Sequence, residues 1–146
     1  MDKKIITLKL CFLILFSCNS QVNKTEKDKV IVLYHIIFTN GFGSDKIVFA
    51  INGNEIIKSV LLSSKSDGIT SLGFKIIKRG DEVILINNSS NVEYIIKNKE
   101  KIILTVTHQE KIYNFQLNKK LGKYILIELN ENIIKFNQQE KRPLFD

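Results

Sequence analysis

Tryptophan is absent from this chain, proline occurs once, at Pro143, and alanine once, at Ala50. Isoleucine, lysine and asparagine dominate instead. Scarce alanine and abundant isoleucine favour strands over helices, because β-branched side chains lose rotamer freedom in a helix and pack well on a pleated surface. The two cysteines, Cys11 and Cys18, both fall near the start. The rest of the chain is thiol-free, which excludes disulfides, thiolate metal sites and cysteine nucleophiles from it. There is no Gly-x-Ser-x-Gly elbow to support a serine nucleophile. No glycine-rich segment ends in the glycine-lysine of a phosphate loop.

The first 18 residues carry the clearest signal. Lys3, Lys4 and Lys9 make a positive n-region, and residues 10–16 form a short apolar core. Leu15-Phe16-Ser17-Cys18 then supplies a branched apolar residue, a gap, a small residue and a cysteine. That pattern has the shape of a bacterial lipoprotein signal, expected to span residues 1–17 and to be cleaved so that Cys18 becomes a lipidated N-terminus. The apolar stretch is too short to span about 30 Å of hydrocarbon as a helix. Ordinary signal cleavage, leaving a soluble protein, is the competing reading. Each buried methylene of a lipid contributes about 0.8 kcal/mol, so two or more chains hold a protein firmly on a membrane. The expected address is the cell envelope, outside the cytoplasm, on the outer membrane.

Residues 18–29 are polar apart from Val22 and read as the lipidated N-terminus followed by a flexible tether. Its r.m.s. reach is about 18 Å. Residues 30–146 read as a single domain, long enough to bury close to two-thirds of its unfolded surface. Losing the signal takes away Lys3, Lys4, Lys9 and Asp2 and lowers the formal charge from +7 to +5. A basic balance can indicate nucleic acid or anionic lipid. Here the lysines are scattered and only Arg79 and Arg142 offer guanidinium forks, so no nucleic-acid partner is expected.

From Val30 the chain alternates β-rich runs with turn chemistry. Strands are expected at 30–39, 46–51, 55–62, 69–78, 82–87, 92–97, 101–108, 111–117, 123–129 and 132–137. Asn52-Gly53 is the strongest hairpin signal, because both residues tolerate positive φ. Arg79-Gly80-Asp81 is another tight turn, Gln109-Glu110 closes a further hairpin, and Gly122 breaks the chain. Turn signals every eight to twelve residues and no helical period predict an all-β fold, an antiparallel sandwich or partly open barrel of about 8–10 short strands. Ile47, Phe49 and Ile51 share one face of a half-buried strand. Residues 30–38 and 102–106 are apolar on both faces, the pattern of a strand covered twice or of an exposed patch used for a partner. On the second reading Leu33, His35 and Ile37 are the candidate partner-binding residues.

Candidate chemistry is sparse. His35 and His108 are the only histidines and neither has a carboxylate at ligand spacing; each sits in an apolar row and reads as a core or strand-end histidine, so no metal is expected. Asp81 and Glu82 are adjacent and so point apart. Arg79-Gly80-Asp81 spells the integrin tripeptide and reads as chance. Residues 40–45 could wrap a cation, yet Asp45 stands alone where a calcium site wants six to eight oxygens. Tyr34, Tyr94, Tyr113 and Tyr124 could stack on sugars, without a tryptophan to strengthen the case.

The signal ending in Phe16-Ser17-Cys18, the polar tether and the small β domain resemble small lipoproteins of the Bacteroidota. Gly122-Lys123-Tyr124, followed by Ile133-Ile134-Lys135-Phe136 and a closing Arg142-Pro143-Leu144-Phe145-Asp146, is similar to the endings of exported proteins in that group. It departs in having Arg-Pro-Leu-Phe where Lys-Pro-Phe is usual. The resemblance implies a β-sandwich in the envelope and transfers no active site. Two functions are expected candidates: a non-enzymatic binding module acting on another envelope protein, of which a toxin-neutralising immunity protein is one version, or a small hydrolase or ligand-modifying enzyme. The second would need Asp81, Glu82, His108 or serines gathered by folding. No cofactor is expected for the first.

Overall fold

The structure, a computed structural model, describes residues 29–144. The signal, Cys18 and the tether up to residue 28 lie outside the described residues. Within them the chain forms ten strands: β1 (Val30–Phe38), β2 (Gly43–Ile51), β3 (Asn54–Ser63), β4 (Gly73–Arg79), β5 (Glu82–Asn87), β6 (Glu93–Ile95), β7 (Ile103–His108), β8 (Lys111–Gln116), β9 (Tyr124–Asn130) and β10 (Ile133–Gln139). A single 3₁₀ turn, Lys119–Leu121, precedes β9. The strands make two packed sheets, ordered β10-β9-β1-β4-β5-β6 and β3-β2-β7-β8. This is the expected β-sandwich, not closed into a barrel.

Turn chemistry sets the hairpins. Asn52 and Gly53 take φ of 48° and 77°, the mirror-image turn whose twist matches that of paired strands. Gly80, at φ 57°, opens the turn between β4 and β5. Every neighbouring pair is antiparallel except β1 with β9, which run parallel over His35–Phe38 and Tyr124–Ile127. Parallel neighbours cannot be joined by a hairpin, and here the whole of the second sheet intervenes between them.

Side-chain alternation fills the space between the sheets. Ile47, Phe49 and Ile51 are buried as their spacing predicts, opposite Tyr34, Ile36, Phe38, Phe74 and Ile76 from the other sheet. Four rings cross the interior in sequence: Phe42 to Phe38 at 6.0 Å, Phe38 edge-on to Phe49 at 5.7 Å, and Phe49 stacked on Phe74 at 4.8 Å. Phe115 on β8 stacks on Phe136 of β10 at 5.1 Å, joining the sheets a second time.

The doubly apolar β1 has three separate explanations. The register slips between Val32 and Tyr34, a β-bulge against β4, so one residue is added and the faces exchange. Leu33 at that bulge packs against the core. Beyond it His35 faces outward and stacks on Tyr124 at 5.0 Å and 12°, while Ile37 lies half-buried beside its β9 partner Leu126. Before it, Val32 heads an outward row across Ile77, Ile84 and Ile95. Ile77 and Ile84 are nonetheless buried: the Arg79 guanidinium reaches across the row to grip both Glu93 oxygens, at 2.9 and 3.1 Å. That contact holds the Glu93 carboxyl below its ordinary range.

Candidate functional site

One end of the sandwich is open. β1, β7 and β9 begin there, and β8 and the turn from β4 to β5 end there. Between them lies a cleft of about 1030 Å³. Its floor is apolar, made by Leu33, Val83, Ile102, Phe115 and Leu117, with Tyr34 among them. Its rim carries four lysines, Lys78, Lys99, Lys119 and Lys120, against two carboxylates, Asp81 and Glu100. A smaller hollow of about 300 Å³ shares Leu33, Tyr34 and Lys119 with it and adds Lys123 and Glu140.

The bulge in β1 builds the floor, by turning Leu33 inward beside Tyr34. Burial raises the Tyr34 phenol above its usual pKa, so the ring presents a neutral hydroxyl. Gln138 of β10 builds the rim. Its amide nitrogen donates to the carbonyls of Asn118 and Gly122, and its amide oxygen accepts from the Asn118 N–H at 3.1 Å. Asn118 in turn accepts the Lys120 N–H at 3.0 Å, capping the 3₁₀ turn. Gly122, at φ 106°, returns the chain to β9 so close to the Gln139 backbone that a Cβ there would collide with it. Lys119 and Lys120 are thus held over the cleft by a fixed loop.

The sequence-expected residues are spread through the fold. Leu33 lines the cleft, whereas His35 and Ile37 lie on the outer face of the six-stranded sheet, so these three do not share a surface. His35 is held below its ordinary pKa, by burial first and then by Lys75, Lys123 and Arg142. Asp81 lines the cleft together with Ile102, just before β7, but His108 sits at the far end of β7, a strand that spans about 17 Å. Folding therefore does not gather Asp81, Glu82 and His108. His108 is buried, with Nε2 3.1 Å from Asp45 Oδ1 and no partner for Nδ1 among the described residues. The second Asp45 oxygen accepts the Gly43 N–H at 2.7 Å, so the carboxylate in residues 40–45 is engaged on both sides. Among the described residues no three His, Cys, Asp or Glu side chains cluster as metal ligands.

Sequence reasoning missed the lysine rim. Lys78, Lys99 and the Lys119-Lys120 pair come from three separate loops or strand ends, and only the topology brings them together. The one local signal was Asn118-Lys119-Lys120-Leu121-Gly122, a capped turn closed by glycine. With cleft and sheets defined, the class of molecule is a two-sheet β-sandwich with a basic, apolar-floored groove at one end. No family model, curated protein or solved structure matches the chain.

Proposed function

We propose that this protein is a lipid-anchored envelope module that binds another envelope protein without transforming it. The observation that carries the reading is the composition of the cleft: an apolar floor, a surplus of lysines and a lining that includes no histidine or serine. Apolar surface beneath a charged rim suits recognition, since desolvating the floor supplies affinity and the rim selects by charge. The lipid on Cys18 would hold the module at the membrane, and the tether would let the cleft search the space next to it. Toxin neutralisation is one form this binding would take.

A photo-crosslinking residue at Leu121, on the cleft rim, tests the reading in cells expressing the full chain. A second, at Ile133 on β10, serves for comparison; both positions are solvent-exposed. A discrete envelope adduct formed from Leu121 is expected. No adduct from either position would overturn the binding reading, while an adduct from Ile133 alone would keep binding and remove it from the cleft.

A further inference from the structure

β9 runs beside β1 only from His35 to Phe38. Among the described residues, the first part of β1, Val30 to Tyr34, therefore has β4 on one side and no strand on the other. This is an open sheet edge inside a six-stranded sheet, in line with β9 and interrupted by the 117–123 loop. Unpaired backbone N–H and C=O groups along such an edge form a template for another strand. Proteins guard their edges with lysine, proline or a short strand, but this stretch reads Val30-Ile31-Val32-Leu33, and the first three of these side chains are 40–51% exposed. The lysines stand instead on the loop across the gap: Lys119 borders both hollows, Lys120 the larger, and Lys123 the smaller.

We propose that this slot takes an extended, carboxylate-rich segment of a partner protein, added as a strand beside residues 30–33. The proposal rests on the binding reading above and names its partner chemistry. Strand addition takes affinity from main-chain hydrogen bonds and specificity from pockets that accept alternate side chains. One set of side chains from the incoming strand would enter the floor beside Leu33 and Tyr34. Carboxylates at the other positions would meet Lys119, Lys120 and Lys123. Charge decides between occupants. The chain's own tether carries Lys24, Lys27 and Lys29 against Glu26 and Asp28, so it brings net positive charge to a lysine rim. A second copy would set one lysine loop against another. An acidic strand is attracted where both of these are repelled.

The test uses the full lipidated chain in detergent and a displayed library of random dodecapeptides. The strongest binders are synthesised and measured against wild type, Lys119→Glu/Lys120→Glu and a control, Lys135→Glu, which reverses an exposed charge on β10 away from the cleft. Recovered peptides should carry excess Asp and Glu between apolar residues and bind more weakly as salt rises. The double reversal should cost about tenfold in affinity and the control nothing. Those amides of residues 30–33 that point away from β4 should exchange fast in the free protein and slow when peptide is bound. Failure to recover binders, an absence of acidic bias, equal binding by the double reversal, or unchanged exchange at 30–33 would each overturn the proposal. The crosslinked adduct at Leu121 separates the two levels: if it persists in the double reversal, the binding reading stands and strand addition by an acidic segment does not.

Discussion

His35 lies flat on Tyr124, with Lys75 across the strand and Lys123 and Arg142 within electrostatic reach. Burial and these cations lower its folded-state pKa, whereas the unfolded chain keeps a value of about 6.5. As pH falls through that unfolded value the unfolded chain takes up the proton first, so His35 subtracts stability from there down to its folded pKa and leaves it intact above. The His35→Gln variant should therefore lose less of its urea midpoint than wild type between pH of about 7.5 and about 5. Parallel losses would show that His35 does not titrate differently on folding. Phe49 is the opposite kind of residue, fully buried and touching both Phe38 and Phe74. Phe49→Ala should cost about 3–5 kcal/mol through lost contacts and the cavity left behind, measurable by chemical denaturation. A loss under about 1 kcal/mol would mean that the core collapses to fill the hole.

The turns divide the elements into well and poorly matched ones. Gln109 and Glu110 take φ of 47° and 65°, a conformation that Asn-Gly adopts with far less strain. Replacing the pair by Asn-Gly should stabilise the protein by about 1 kcal/mol, seen as a higher melting temperature; a lower one would show that the native side chains make compensating contacts. All ten strands were legible in the sequence, because alternation and turn residues are local properties. Three details were not. The β4 strand was expected from residue 69 but starts at Gly73, since the Thr70 hydroxyl accepts the Leu72 N–H at 3.2 Å and turns the chain first. The β2 strand starts earlier than expected, at Gly43, because its irregular first residues still find Leu62 and Ser63 on β3. The bulge at Leu33 has no local signature, and with it went the face that Leu33, His35 and Ile37 were expected to share. The cleft was illegible for a related reason: a groove between distant chain ends is a property of topology.

For the whole molecule, the binding reading presumes an anchored domain, and anchoring is directly testable. Cells expressing the full chain should incorporate labelled palmitate, and Cys18→Ser should abolish the label and shift the protein out of the membrane fraction. Equal labelling of the variant would place the lipid elsewhere or remove it from the account. The domain itself should be indifferent to this change, since the core formed by the described residues runs from Tyr34 to Ile134.

The parallel pairing of β1 with β9 also sets a clock. Thr39, just after β1, hydrogen-bonds Ile127 on β9, a partner 88 residues further along the chain. β4 is made much earlier and can pair with one side of β1, but the other side waits for β9, nearly the last strand made. At synthesis rates of about 5–20 residues per second, that interval is roughly 4–18 s. Throughout it β1 has no β9 to shelter it, and its apolar run is available to chaperones. The six-stranded sheet therefore closes only after most of the chain has been made.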